Sequence, residues 1–339
     1  MNAKHDILNL LKSRGSEGIL QGEISSILRY SRSTISETLT KMLKDGEIFR
    51  KKVGRKAYRV WLSDYTPFPI KNLIRVAILR AVEYPHVLLT VKDLGEKGVN
   101  VRLRVFDNAL EATKALATGY VDIAYTPLVT QTFYALLLRS IEIVAGCGFG
   151  GSGLVVKNEK FDRLTYGCSE LSTMEMNLKI FLESQNIDPS SVELRYFKTP
   201  DRMVESFTSG EISALSIWEP YLGFFRGKFR VYDFEELFGR FPCCTMAVNK
   251  KFVKVNEKIF QVFLKTYREN TDKLQKRREE AVKLMAETLK LPETLVNMSF
   301  GKFDYSYRLT KDECLKTLKR FGIILTKPVL NDVLKLRWT

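Results

Sequence analysis

Hydroxyl and cationic side chains cluster at the start of one short helical stretch near the N-terminus. Around an apolar stripe that contains Ile35 and Leu39, the outer surface carries Ser31, Arg32, Ser33, Thr34, Ser36, Thr40 and Lys41. Short hydroxyls and arginine at a helix N-terminus suit base edges and phosphates. The cluster therefore predicts a contact with nucleic acid, and the alternative is a solvated basic face on a helical protein-binding module.

A basic hairpin follows that helix. Two strand-like runs, residues 48–53 and 57–62, are joined by Gly54-Arg55-Lys56, and their cations include Arg50, Lys52, Arg55 and Lys56. Such cations suit phosphates, which carry no sequence information. The first 66 residues hold 13 Lys and Arg against 7 Asp and Glu, which marks them as a distinct basic module.

The adjacent pair Cys243-Cys244 raises the question of a metal or an enzyme. The chain has five cysteines without CxxC spacing and only two histidines, so soft metal ligands are few. Adjacent residues of a strand point to opposite faces, which favours structural cysteines over a metal site. We also find no Ser-His-Asp arrangement, no Walker loop and no HExxH run, so the sequence predicts neither a metal, a cofactor nor catalysis.

Length and charge set the broad class. The 339 residues are 45% hydrophobic, enough for two or three folded domains, and the net charge of +15 favours polyanionic partners. No apolar run is long enough to span a bilayer, and residues 1–12 do not resemble a signal peptide. These features predict a cytosolic protein with reduced thiols and no membrane partner.

Three helical stretches precede the basic hairpin, and together they resemble the winged helix-turn-helix family of transcription factors. The resemblance covers about residues 4–62, and the segment from Ser31 through Ile48 is similar to the recognition helix and the turn into the wing. It implies base contacts from Arg32, Ser33, Thr34 and Ser36 and backbone contacts from the hairpin. We place this domain at residues 1–64, followed by a proline-containing linker at residues 65–71.

Beyond the linker, buried strands alternate with helices. Residues 75–79, 101–105 and 121–125 are predicted as strands and residues 109–118 as a helix, which indicates an α/β fold. A helix, a glycine and a strand recur about 91 residues apart, in residues 114–124 and 205–215. Such a repeat favours two similar lobes facing across a cleft.

This region resembles the type II periplasmic-binding-protein superfamily, within the group of sulfonate- and nitrate-binding proteins and thiamine-pyrimidine synthases. The residues that carry the resemblance are 75–85, 111–127, 143–156 and 210–221. Together with the winged-helix resemblance, it implies a multidomain chain: a winged helix (α+β) followed by a two-lobe α/β domain at residues 72–339. Lobe one is expected at residues 72–158 and 243–339, and lobe two at residues 159–242.

In such a fold, ligands contact the loops at the carboxyl ends of strands. The lobe-one candidates are Arg80, Glu83, Tyr84, Asn108, Tyr125 and Thr126. The crossing segment and lobe two add Gly150, Ser152, Ser169, Ser172, Thr173, Trp218 and Glu219. The three hydroxyl residues Ser169, Ser172 and Thr173 surround the start of a predicted helix and can hold an anion, while the aromatic rings can stack on a ligand.

These features together predict a cytosolic transcriptional regulator that binds double-stranded DNA as a homodimer and senses a small anionic or heterocyclic metabolite in its cleft. The alternative is an enzyme of thiamine-pyrimidine synthesis with an appended DNA-binding domain, because the segment with Cys243 and Cys244 lies where those synthases carry a longer cysteine-rich iron motif. A transport receptor is a further alternative, which would need an export signal.

Overall fold

The computed structural model describes residues 2–337, which begin with a small unit of three helices and three strands. The helices are α1 (Ala3–Arg14), α2 (Gln21–Leu28) and α3 (Arg32–Lys44). The strands are β1 (Ile19–Leu20), β2 (Ile48–Lys52) and β3 (Tyr58–Leu62). They form one antiparallel sheet in the order β1-β3-β2.

The apolar positions of these helices form a small core of their own. Side chains at helical spacing, such as Ile7 with Leu11 and Ile35 with Leu39, are buried together with Val60 of the sheet. The Ser31 hydroxyl caps α3 by accepting a hydrogen bond from the Thr34 amide at 3.1 Å. Local sequence patterns therefore account for this unit.

The unit does not stand apart on an extended linker, which corrects the prediction of a separate winged-helix domain. The Phe68 ring, from the predicted linker, packs edge-on against the rings of Phe49 and Trp61, with ring centroids 5.3 Å apart in both pairs. Arg102 of the following lobe pairs with Asp64 at 3.0 Å. An aromatic side chain between two prolines gains free energy by burial, so the connection packs instead of extending.

The rest of the chain forms two α/β lobes. The remaining strands are β4 (Leu73–Leu79), β5 (Asn100–Phe106), β6 (Ile123–Pro127), β7 (Ile141–Gly150), β8 (Ser152–Val156), β9 (Thr165–Cys168), β10 (Glu193–Tyr196), β11 (Ala214–Trp218), β12 (Arg230–Asp233), β13 (Pro242–Asn249) and β14 (Phe303–Tyr305). The remaining helices are α4 (Pro85–Glu96), α5 (Ala109–Thr118), α6 (Leu128–Leu138), α7 (Thr173–Ser184), α8 (Pro200–Ser209), α9 (Phe234–Phe238), α10 (Lys250–Asp272), α11 (Arg278–Leu289), α12 (Glu293–Phe300), α13 (Lys311–Arg320) and α14 (Lys327–Val333).

Each lobe is built on a mixed sheet. Lobe one has six strands in the order β14-β7-β13-β6-β4-β5, and lobe two has five in the order β10-β9-β11-β8-β12. The repeat seen in the sequence recurs as α5-β6 in lobe one and α8-β11 in lobe two. Gly119 and Gly210 end the two helices with φ of 86° and 89°, a left-handed conformation that favours glycine.

The chain crosses between the lobes at Gly150 and Gly151, whose φ values are 75° and 70°. β7 ends in the first sheet, and β8 begins at once in the second, where it pairs with β11 and β12. The predicted boundary between residues 158 and 159 is therefore eight residues too late, because the apolar run of β8 belongs to the core of lobe two. The chain is back in the first sheet at β13.

The C-terminal helices pack against lobe one. Two of these helices, α10 and α11, are separated by a 3-10 turn at Leu274–Arg277. Arg277 bonds to Asp93 of α4 at 2.7 Å and to Asn270 at 2.6 Å, so tertiary contacts fix the break. Within residues 2–337, no helix combines the length and the apolar character that crossing a membrane requires.

Candidate functional site

A narrow cleft lies between the two lobes, at the carboxyl ends of β4, β5 and β6. Lobe one contributes Leu79, Ala81, Glu83, Tyr84, Asp107, Ala109, Pro127, Cys243 and Cys244, and lobe two contributes Ser169, Ser172, Thr173, Met174 and Trp218. The cavity volume is about 30 Å³. This space suits a water molecule or two, whereas pockets for small-molecule ligands are about 300–1,000 Å³, so the lobes are closed on one another.

Glu83 is the buried acid of this cleft, with 3% of its surface exposed. Its Oε1 accepts a hydrogen bond from the Cys244 amide at 3.0 Å, and Gly148 lies against its side chain, where a Cβ would overlap the carboxyl group. Burial raises the pKa of Glu83 to about 7, although hydrogen bonds from Cys244 and Cys243 offset part of the rise. The carboxyl group therefore changes charge near neutral pH.

Cys243 and Cys244 both reach Glu83, which the sequence did not predict. The ligand atoms of these three residues all lie within 4.8 Å of one another. The register of β13 against β7 shifts on both sides of Cys244, and such a bulge re-aims side chains that would otherwise alternate between faces. The expectation that the two cysteines face opposite ways is corrected for that reason.

These three residues are also the candidate metal ligands among the described residues. A thiol binds metal as a thiolate, and burial raises the pKa of Cys244 far above its ordinary value. The nearby His86 is engaged elsewhere, because its Nε2 lies 3.0 Å from the Tyr267 hydroxyl, which itself donates to the Gly146 carbonyl at 2.7 Å. Burial lowers the pKa of His86 to about 3. The two thiols of this donor set are therefore held in their protonated form, and the prediction of no metal stays a prediction.

Hydrogen bonds between the lobes hold the cleft shut. Arg80 pairs with Asp107 of lobe one at 2.5 Å and with Asp201 of lobe two at 2.6 Å. The Trp218 indole donates to the Arg80 carbonyl at 2.9 Å, and the Thr130 hydroxyl donates to the Leu171 carbonyl at 2.7 Å. Entry of a ligand requires these contacts to break and the lobes to separate.

We expect Asp201→Ala to open the cleft more often. The pair with Arg80 is partly exposed, so its loss shifts the balance between closed and open forms about two- to fivefold. Single-molecule energy transfer between dyes on the two lobes measures this balance, and raised salt should reduce the difference from the parent protein. Asp188→Ala, an exposed change elsewhere in lobe two, is the control. Equal open fractions in both variants would contradict the role of Arg80 as a latch.

Six of the predicted ligand residues line the cleft. They are Glu83, Tyr84, Ser169, Ser172, Thr173 and Trp218. They come from loops that follow strands β4, β9 and β11, as expected from strand ends in α/β sheets. The remaining cleft residues were missed, although Asp107 and Pro127 lie at the ends of two predicted strands and could have been found by the same rule.

The other predicted ligand residues lie outside the cleft lining. Arg80 forms the latch, and Asn108 caps α5 by accepting from the Glu111 amide at 3.1 Å. Tyr125 is fully buried between the rings of Tyr84 and Tyr267. Thr126 bonds to Thr113 and Gln131, and Glu219 pairs with Arg226. Gly150 and Ser152 lie in the crossing segment, where the buried Ser152 hydroxyl has no hydrogen-bond partner within the described residues.

The residues predicted to contact DNA lie on the N-terminal unit. Arg32, Ser33, Ser36, Thr40 and Lys41 are exposed on α3, and Ser31 caps that helix through the Thr34 amide. In the hairpin, Arg50 is held by Gln21 at 3.2 Å and by the Tyr58 ring, whereas Lys52, Arg55 and Lys56 are exposed. The structure thus places these side chains on the surface, which any solvated basic face also does.

The chain crosses between two α/β lobes, and a cleft lies at the carboxyl ends of their strands. This arrangement defines the class of two-lobe periplasmic-binding-protein-like folds. The model of the NMT1-like family matches residues 76–290, more than half of the chain. The chain belongs to the NMT1-like family. No curated protein matches its sequence.

Solved structures of binding proteins share this fold. The ligand-binding component of an ABC-type import system from Staphylococcus aureus, with zinc bound, has a TM-score of 0.69 at 18% identity. The alignment covers 78% of this chain and 97% of the chain of that protein. The alkanesulfonate-binding protein SsuA from Xanthomonas axonopodis, bound to MOPS, has a TM-score of 0.65 at 14% identity over 78% and 98%. The periplasmic nitrate-binding protein NrtA from Synechocystis has a TM-score of 0.63 at 13% identity over 80% and 87%.

These matches correct the predicted function. The similar structures are of binding proteins, and the prediction that the chain is not an enzyme stays a prediction. The prediction of a DNA-binding transcriptional regulator is wrong, and so is its synthase alternative, because the similar proteins bind solutes and the family match begins at residue 76. Double-stranded DNA is withdrawn as a partner, and the predicted homodimer loses its basis in paired DNA half-sites.

Proposed function

We propose that this protein is a solute-binding protein whose small-molecule ligand occupies the cleft between its lobes. The observation that carries the proposal is the convergence of polar and aromatic side chains from both lobes: Glu83 and Tyr84 from one, and Ser172, Thr173 and Trp218 from the other. A ligand that contacts both lobes favours their closed arrangement over the open one. The family and the similar binding proteins support the same function.

We also propose that the N-terminal unit, residues 3–62, has a winged-helix-type fold. The three helices and the three-stranded antiparallel sheet support this proposal. Arg102 of the edge strand β5 donates to the Gly46 carbonyl of this unit at 2.5 Å and also pairs with Asp64. A cytosolic location also remains a proposal, supported by five free and buried cysteines.

A cleft-blocking variant tests the proposed function. Native mass spectrometry and a thermal-shift screen of small metabolites on the parent protein should identify a ligand that raises Tm. A ligand present at about 100 times its Kd adds about 2.7 kcal/mol to the free energy of unfolding. Ala109→Trp at the cleft end of α5 should abolish the shift, because the indole fills the cavity. Thr118→Trp, exposed at the other end of the same helix, should retain it.

The outcome is decisive once both variants are shown to fold by circular dichroism. A ligand whose Tm shift survives Ala109→Trp binds elsewhere, and the cleft would then not be the binding site. Absence of any ligand from both the mass spectra and the screen would also count against the proposal.

A further inference from the structure

We propose that the cleft selects ligands that present a positively charged nitrogen, of the amidinium or ammonium type, to the carboxylate of Glu83. This inference rests on the proposed function and names the ligand class for the same site. The fourteen residues that line the cleft include two acids, Glu83 and Asp107, and no lysine, arginine or histidine.

Of the two acids, Glu83 is the one without a counter-ion. Asp107 is half-exposed and already pairs with Arg80 at 2.5 Å. Glu83 is buried, and its neighbours Cys244 and Cys243 offer neutral donors only. Burying a carboxylate costs much free energy unless an opposite charge compensates it. A cationic ligand supplies the positive charge that the described residues do not place beside Glu83.

The opposite face of the cleft does not favour an anion, contrary to the expectation for the start of α7. The Ser172 hydroxyl caps the helix and accepts from the Glu175 amide, and Glu175 itself accepts from the Leu171 amide at 2.6 Å. A carboxylate of the protein thus already lies at this positive helix end. Ser169 and Ser172 bond to each other at 2.7 Å, which leaves them as adaptable neutral partners for a ligand.

Two aromatic side chains complete the preference for a cation. Tyr84 follows Glu83 in the chain, and Trp218 reaches the cleft from lobe two. Aromatic faces attract cations, and a planar amidinium attached to a ring can also stack on them. The two lobes therefore offer one carboxylate and aromatic surface to the same ligand.

Three probes of the same shape and different charge test the inference. They are benzamidine, benzamide and benzoate, and their affinities for the full chain are measured by isothermal titration calorimetry at about pH 8. We expect benzamidine to bind about tenfold more tightly than the other two probes, the range of a charge-assisted hydrogen bond.

Variants separate the roles of individual groups. Glu83→Gln should abolish the preference for benzamidine, whereas Glu235→Gln, a half-buried glutamate outside the cleft, should leave that preference unchanged. A preference for benzoate, equal affinities, no binding of any probe, or benzamidine binding that survives Glu83→Gln would each overturn the ligand class. The proposed function would still stand if Ala109→Trp abolishes binding of the ligand found in the screen, so the two failures are distinguishable.

Discussion

Replacing Arg75 by methionine is expected to lower the free energy of unfolding by about 3–5 kcal/mol, because it leaves the Asp122 carboxylate buried without its partner. Both side chains are about 1% exposed, and they form hydrogen bonds of 2.8 and 2.9 Å. Arg75 also donates to the carbonyls of Thr66, Phe68 and Gly119 at 2.7, 3.1 and 2.8 Å. One guanidinium thus joins the linker, β4 and the end of α5.

Urea unfolding followed by circular dichroism measures the loss. Arg139→Met is the matched control, since its pair with Asp332 is exposed and distant at 3.6 Å, and we expect it to cost less than about 1 kcal/mol. The double variant Arg75→Met/Asp122→Leu should recover part of the loss by removing the unpaired carboxylate. A cost for Arg75→Met no larger than that of the control would show that the buried pair does not hold the linker to lobe one.

Replacing Glu83 by glutamine is expected to stabilise the protein at about pH 8 and to leave it nearly unchanged at about pH 4.5. The pKa of Glu83 is about 7 in the folded chain and near 4.5 when exposed, so between these values the folded state keeps a proton that the unfolded state releases. Stability therefore falls as pH rises through this window and is constant above it. Glutamine avoids this cost, which corresponds to about 3 kcal/mol at pH 8.

The measurement is the difference in unfolding free energy between parent and variant across that pH range. Glu287→Gln, at an exposed position of α11, should give a difference near zero at every pH. If Glu83→Gln has the same effect at pH 4.5 and at pH 8, the carboxyl group does not titrate in this window. The same variant thus separates the stability cost of Glu83 from its role toward a ligand.

The local patterns of the sequence were sufficient for much of the architecture. Apolar residues at helical spacing predicted α1, α2 and α3, and the two helix-glycine-strand units appear as α5-β6 and α8-β11 with left-handed glycines between them. These features depend on neighbouring residues, whose propensities act before any tertiary contact forms. The rule that ligands meet strand carboxyl ends also found six residues of the cleft.

Surface charge misled the functional prediction. The basic residues of α3 and the hairpin are exposed, but exposure and positive charge are common to many solvated faces and do not identify a partner. The family match and the solute-binding structures lie in the two-lobe region instead. The net charge of the chain had favoured polyanionic partners, and this inference was not justified by charge alone.

The sequence by itself determined the three N-terminal helices and the hairpin, strands β4, β5 and β6 and the two helix-glycine-strand units, because these depend on residues close together in the chain. Only the tertiary structure decided that a bulge in β13 brings Cys243 and Cys244 beside Glu83, that Arg75 captures the linker, and that Arg80 joins Asp107 to Asp201 across the cleft. Each of these contacts joins residues far apart in sequence or depends on a shift in strand register. Their energies come from burial and charge pairing, which exist only once the lobes have folded together.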